Sequence, residues 1–258
     1  MSAPRDNTPG LSPLLLVGRG RVGGAIGRAA EAAGLEVRLA GRDDIAELAT
    51  GCEVALLCVP DAEIAAAAKA LAEPAPGARL VGHTSGATTL AAIGAPAFSL
   101  HPLQTVPDAE TDLMGCPAAI AGSDAAAVEL ARKLASTLGM RPFEVPEESR
   151  AAYHAAAAIA SNFLVTLESS AVELLAAAGV ADSAEGRELL TPLVLRTAAN
   201  WAERGPDALT GPIARGDGAT VESHRAAISE SAPELGPLYE TLVERTRAIA
   251  QTGQGAQA

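Results

Sequence analysis

Three sets of residues in this chain have the types and spacing of a reaction site. The first is Gly18-Arg19-Gly20-Arg21-Val22-Gly23, which follows a short apolar run and opens an alanine-rich segment of helical period. A strand that turns through such glycines into a helix cradles a pyrophosphate. Gly18 permits the tight turn, Gly20 leaves the backbone open to the phosphate, and Gly23 lets the helix pack close to the strand. The helix start adds unpaired N–H groups and a partial positive charge. The second set is His83-Thr84-Ser85-Gly86 and His101-Pro102-Leu103-Gln104, which hold two of the four histidines. Each begins directly after a strand-like run, where ligands bind on an open parallel sheet. His83 and Ser85 are expected to hold a polarised carbonyl or imine, and His101 to donate a proton or fix the substrate. For either histidine alone, a structural hydrogen bond is the simpler role.

The third set is helical. His154, Ser161 and Asn162 lie on nearly one face of an alanine-rich run, about two turns apart. Asn162 is expected to line the site, whereas His154 is divided between the site, the core and a subunit seam. Arg215 stands in the turn Thr210 to Asp217, too rich in glycine and proline to be helical, where it either clamps a substrate carboxylate or pairs with Asp217.

The strand after the glycine turn selects the nucleotide. NAD-selective folds carry an acidic residue at its tip to accept the ribose hydroxyl. Here Leu35-Glu36-Val37-Arg38-Leu39 runs into Ala40-Gly41-Arg42 with no carboxylate at the tip. Arg42 is placed to meet a 2′-phosphate, with Arg19 and Arg21 adding charge nearby. The expected cofactor is therefore NADP rather than NAD, held by Gly18, Arg19, Gly20, Arg21, Val22, Gly23, Arg42 and the strand-end residues Val59 and Pro60. Two plainer readings stay open: a glycine-rich turn with no ligand, and a solvated Arg42 paired with Asp43 or Asp44.

Elements able to position these groups follow from periodicity. Strands are predicted at 14–17, 36–40, 53–59, 79–82, 97–100, 116–121 and 140–145, with helices at 22–33, 44–49, 62–72 (closed by Pro74, Pro76 and Gly77) and 125–138. This alternation predicts right-handed crossovers and a Rossmann-type, doubly wound parallel sheet. Beyond Pro146 only helical patterns remain, at 149–178, 184–204, 220–229 and 233–251. The predicted fold class is thus α/β followed by an all-helical domain, with a nucleotide-binding domain over 12–148 and a substrate and dimerisation domain over 149–258. Residues 1–12 and those after Gln251 read as loose tails.

At 258 residues with a formal charge of −12, the chain can bury a large core, and nucleic acid or anionic membrane is disfavoured as its main partner. Cys52, Cys58 and Cys116 lack paired metal-ligand spacing and read as small buried hydrophobes in a reducing compartment. No metal site is expected. The polar start is unlike a signal peptide and the apolar runs look too short to span a bilayer, which points to the cytoplasm. Alanine-rich helices with little bulk suggest a homodimer through the helical half.

These segments together resemble one family. The glycine turn, Val59-Pro60-Asp61, His83-Thr84-Ser85-Gly86-Ala87, Phe98-Ser99-Leu100-His101-Pro102-Leu103-Gln104, Tyr153-His154 to Asn162, and Leu209 to Asp217 are similar to an uncharacterised bacterial group of Rossmann-like proteins with a helical C-terminal domain of unknown function. The group is similar in architecture to pyrroline-5-carboxylate reductase, ketopantoate reductase, and the 6-phosphogluconate and 3-hydroxyacid dehydrogenases. The resemblance implies a helical second domain that dimerises and closes a cleft over the nicotinamide. Hydroxyacid dehydrogenases and ketopantoate reductases carry a catalytic lysine four residues before an asparagine. Aligned on Asn162, that position is Ala158, and no lysine follows Lys133.

Two functions follow as expectations. One is an NADP-dependent oxidoreductase reducing the C=O or C=N of a small keto or imino acid, with His83, Ser85, His101 and Asn162 catalytic and His154 and Arg215 holding the substrate. The other is a non-catalytic NADP-binding sensor or partner protein that has lost the lysine.

Overall fold

The structure, a computed structural model, describes residues 10–72, 80–94 and 96–255. The expected tail before residue 10, the helix breakers Pro74, Pro76 and Gly77, and the chain end after residue 255 lie outside the described residues. The chain divides into two compact units at Ser161–Asn162; the sequence reading draws its division at 148/149.

In the first unit, the apolar runs form the strands of one seven-stranded sheet: β1 (Leu14–Val17), β2 (Val37–Ala40), β3 (Val54–Leu57), β4 (Leu80–His83), β5 (Ala97–Pro102), β6 (Pro117–Gly122) and β7 (Arg141–Glu144). Helices α1 (Arg21–Ala32), α2 (Ile45–Leu48), α3 (Ile64–Ala72), α4 (Ala125–Thr137) and α5 (Arg150–Ala160) complete it. The strand order is β2-β1-β3-β4-β5-β6-β7. Neighbours from β2 to β5 are parallel, β5 and β6 are antiparallel, and β6 and β7 are parallel again.

The all-parallel sheet expected from sequence is thus corrected at one edge. A parallel neighbour needs a long crossover, usually a helix. Residues 103–116 contain no helix, so β6 returns beside β5 in the opposite direction.

Burial follows the two-residue period of a strand. Leu14, Leu16, Val54 and Leu56 join Ile26, Phe98, Leu130 and Leu134 on one face, while Leu15, Val17, Ala55 and Leu57 join Ile45, Ile64 and Leu71 on the other. With both faces covered, the central strands read as continuous apolar runs. Each fully buried leucine is worth about 2 kcal/mol.

The second unit is helical: α6 (Asn162–Ala177), α7 (Ser183–Arg204), α8 (Pro212–Arg215), α9 (Gly218–Ser231) and α10 (Gly236–Gly255). Two sequence expectations change. The single helix over 149–178 is two, separated by Ser161, and the turn from Thr210 to Asp217 contains the one-turn helix α8, whose first residue is a proline that has no N–H to lose there. Helix α10 also continues past Gln251. Asp182 caps α7 and Asp217 caps α9 through their carboxylates. Arg225 grips Glu240 with two hydrogen bonds, of 2.7 and 2.8 Å, and so ties α9 to α10.

By length and composition alone, the helical stretch Glu147–Ala177 (mean hydropathy 1.3 over its window) is sufficient to cross a bilayer. It is not one continuous helix, because α5 ends at Ala160 and α6 begins at Asn162.

Candidate functional site

The glycine turn is built as its sequence requires. Gly18 has φ +120°, a region L side chains rarely adopt, and a Cβ on it would stand 2.3 Å from the Cys58 carbonyl oxygen. On Gly23, a Cβ would meet the Gly18 carbonyl oxygen at 1.9 Å. Gly20 differs: nothing lies within 4 Å of its missing Cβ, so its face is open. It is the N-cap of α1, and no side chain caps the helix, which leaves the first-turn N–H groups to a ligand.

Two cavities meet at this turn. One, of about 600 Å³, is lined by Gly18, Arg19, Gly20, Gly41, Arg42 and Glu63 among others. The second, of about 470 Å³, is lined by Arg21, Val22, Asp61, Ser85, Gly86, His101, Gln104 and His154 among others. Gly20, Cys58, Val59 and Pro60 line both, so the two form one trough past the strand ends. Burial pushes the Cys58 thiol up to about 12, so it stays protonated.

At the first end, Arg19 is ion-paired with Asp44, whose other oxygen accepts the Gly41 N–H at 2.6 Å. Both Asp44 oxygens therefore have partners within the fold. Arg42 pairs with Glu63 at 2.8 Å rather than with Asp43 or Asp44, and its side chain remains 79% exposed.

At the second end, the Ser85 hydroxyl donates to Asp61 at 2.8 Å and accepts the N–H groups of Ala87 and Thr88. The His101 Nδ1 lies 2.7 Å from the Tyr153 hydroxyl, with the two rings edge to face. Gly86 makes this approach possible. A Cβ there would stand 2.9 Å from His154 Cδ2 and 3.1 Å from His101 Nε2. Burial, then His154 and Arg150, push His101 down to about 4 against a weaker pull from Asp61, so it is neutral at pH 7.

His83 does not line either cavity. At the end of β4 it is fully buried, and neither ring nitrogen makes a hydrogen bond of good geometry. Burial, with Arg150 adding to it, pushes its pKa down to about 4, opposed by Glu147, Asp61 and the Thr89 backbone.

Sequence reasoning missed Arg150. This buried side chain donates to Glu147 at 2.6 Å, to the carbonyls of Ser85 and Gly86 at 3.2 and 3.3 Å, and to the Ser99 hydroxyl. It fastens α5 to the loop after β4 and to β5. The only signal was Glu147-x-x-Arg150 at one helical turn, a spacing shared by countless surface pairs.

Residues 103–116 also contribute to the second cavity. Gln104 and Val106 line the second cavity, and the Gln104 amide donates to the Asp112 carbonyl at 2.9 Å. This segment approaches α1 so closely that a Cβ on Gly24 would stand 2.5 Å from the Cβ of Ala109.

Asn162 begins α6 and Arg215 ends α8, both in the second unit. The Asp217 carboxyl, held low chiefly by its hydrogen bonds to Thr220, serves as a helix cap. Among the described residues, no cluster of three or more histidine, cysteine or carboxylate groups is placed to hold a metal.

Sheet order, glycine turn and strand-end trough define a Rossmann-type α/β fold with a helical C-terminal unit. The chain belongs to the family described as "Domain of unknown function (DUF2520)", which matches residues 116–246, half of its length.

Among solved structures, the chain is similar to protein TM1727 from Thermotoga maritima (24% identity, TM-score 0.76, 93% of this chain and 99% of that one). It is also similar to BF3122 from Bacteroides fragilis, provisionally described as an NADP oxidoreductase (22%, TM-score 0.75, 92% and 98%). More distant is the pyrroline carboxylate reductase of Plasmodium falciparum with NADP bound (12%, TM-score 0.59, 92% and 97%). No curated protein matches the chain significantly.

Proposed function

We propose that this protein is an NADP-dependent oxidoreductase that reduces the C=O or C=N group of a small keto or imino acid. The observation that carries this reading is the continuity of the trough. One cavity with arginines at its far end joins, across the open face of Gly20, a second that holds His101 and His154. The residues fit a dinucleotide. Gly18, Gly20 and Gly23 with the α1 N-terminus take the pyrophosphate, Arg19 and Arg42 face the 2′-phosphate, and Val59 and Pro60 flank the chain of the ligand between its two ends. Arg21 and Val22 border the second cavity. Fold kinship with a reductase that binds NADP supports the same reading.

A bound reduced dinucleotide supplies the two electrons. This chain's residues orient the substrate and stabilise charge. His101, held neutral, acts as a hydrogen-bond donor toward the substrate oxygen or nitrogen rather than as an imidazolium acid, and the proton that completes the alcohol or amine comes from solvent. A donor aimed at developing charge is worth about a hundred- to a thousand-fold in rate. His154 lines the same cavity and contacts the substrate, and Asp61 and Gly86 shape the wall. Ser85 secures Asp61. His83 acts from beneath the loop that it supports. Asn162 adds an orienting hydrogen bond and Arg215 holds a substrate carboxylate. In this reading residues 12–148 hold the nucleotide, and residues 149–258 cover the substrate and pair two protomers.

The second reading, a nucleotide-binding protein without turnover, is favoured by Ala158 at the relatives' lysine position and by the full engagement of Ser85. Nicotinamide fluorescence titrations of NADPH and NADH against wild type and Arg42→Ala test the cofactor. NADPH is expected to bind at least tenfold tighter, and Arg42→Ala to remove that preference. Equal affinities untouched by the substitution would reject it. A panel of 2-keto acids and cyclic imines with NADPH separates the readings, because firm binding with no turnover leaves the non-catalytic one.

A further inference from the structure

We propose that Tyr153 is a positioning residue: its hydroxyl donates to His101 Nδ1 and fixes the imidazole as the Nε2–H tautomer, with that N–H on the wall of the trough. Only the kinetic consequence rests on the oxidoreductase reading; the tautomer does not.

The geometry has three parts. The hydroxyl oxygen and Nδ1 are 2.7 Å apart, the rings pack edge to face at 5.6 Å, and the Phe143 ring also packs edge-on with the tyrosine at 6.0 Å. Tyr153 therefore touches both β7, through Phe143, and β5, through His101. The opposite edge of the imidazole, with Nε2, lies against Gly86, where only a missing side chain leaves room.

Chemistry fixes the direction of the proton. A phenol O–H is a stronger donor than a neutral imidazole N–H, and a bare imidazole nitrogen is a far better acceptor than a phenol oxygen. In the reverse arrangement Nδ1 would donate to the phenol, whose own proton has no other acceptor among the described residues. Its proton would then have only solvent to turn to, while the better acceptor, the imidazole nitrogen, went unused. The surroundings agree: burial raises the Tyr153 hydroxyl to about 12 and lowers His101 to about 4, so both partners are neutral near pH 7. A neutral imidazole that accepts at Nδ1 must carry its proton on Nε2. The pair thus turns a residue of ambiguous polarity into a dedicated donor.

The test is nitrogen NMR of histidine-labelled full-length protein at pH 7, with His101→Gln assigning the resonance. The expected spectrum shows His101 protonated at Nε2 and bare, hydrogen-bonded at Nδ1. Tyr153→Phe is expected to shift the Nδ1 signal toward that of a free acceptor while NADPH affinity changes less than twofold. If the oxidoreductase reading holds, the same variant lowers kcat about tenfold with KM nearly constant. Protonation at Nδ1 in wild type, or an Nδ1 signal that ignores Tyr153→Phe, overturns the proposal whether or not the protein turns over any substrate. The wild-type spectrum alone decides the tautomer should the variant fail to fold.

Discussion

Glu147 and Arg150 form an ion pair, the arginine buried and the glutamate partly exposed, in which each member also holds a different part of the first unit. Arg150 Nε donates to Glu147 Oε1 at 2.6 Å, while Glu147 Oε2 accepts the Leu90 N–H at 2.7 Å. Replacing Arg150 leaves a carboxylate, two carbonyls and the Ser99 hydroxyl without their donor. Breaking a fully buried pair from one side costs about 3–5 kcal/mol, and the 34% exposure of Glu147 reduces that here to about 2–3 kcal/mol. Arg150→Met is therefore expected to lose about that much in urea unfolding. A loss below about 1 kcal/mol would show that the clamp is not a main support of the loop after β4.

The glycine turn separates packing from ligand contact. Gly23→Ala forces a Cβ to within 1.9 Å of the Gly18 carbonyl oxygen, whereas Gly20→Ala meets nothing within 4 Å. Gly23→Ala is expected to lower Tm by several degrees. Gly20→Ala should keep the wild-type Tm and weaken NADPH binding about tenfold or more. Calorimetry and cofactor titration on both variants check the pair, and equal behaviour of the two would contradict it.

His83 makes stability depend on pH. Its pKa is about 4 in the folded protein against an ordinary value of 6.5, so between these values the unfolded chain binds the proton and the folded one does not. Stability then rises with pH through this window, is complete above about 6.5, and is lost as pH falls toward 4. The full effect of a shift this large is on the order of 3 kcal/mol. His101 adds a slope of the same sign. Urea unfolding at pH 7.5 and 5.0 should show a smaller difference in His83→Gln than in wild type. An unchanged difference would mean that His83 is not the group responsible.

Oligomeric state is the fourth expectation. In the second unit Phe163, Val165, Leu189, Leu193, Leu195 and Trp201 are each more than half exposed, and Asn162–Ala177 buries no residue within the chain. Exposed apolar surface of this extent marks an interaction site, and we expect a second copy of the chain to cover it. Light scattering at micromolar concentration should give a dimer mass, and Leu193→Lys a monomer. A monomeric wild type would refute the dimer, and dependence on detergent would instead assign the surface to a bilayer.

Much of this architecture is legible in the sequence, and the parts that are not share one cause. Leu14 to Val17 and the glycines after it read correctly because strand, turn and helix are set by neighbours within a few residues. The placement of His101 at a strand end is legible for the same reason. The reversal of β6 is less so, because Cys116 to Ala121 looks the same in either direction and only the lack of a helix over 103–116 hints at it. Arg42 finding Glu63 instead of its adjacent aspartates, and Arg150 lying under the loop after β4, are contacts between segments far apart in the chain. Local pattern carries no record of them. The histidines show the energetic version of this limit: an ordinary pKa near neutrality suits an acid catalyst, but burial moves both His83 and His101 well below it.

The close approach of Gly24 to Ala109 has a consequence for how the trough measures what enters it. The helix that begins at the phosphate turn and the segment that walls the histidine end are notched together, with no room for even one added methyl group at Gly24. In the proposed reading, the joint at Ala109 therefore sets how far Gly20, at the start of that helix, stands from Gln104 and Val106, although Ala109 itself lines neither cavity.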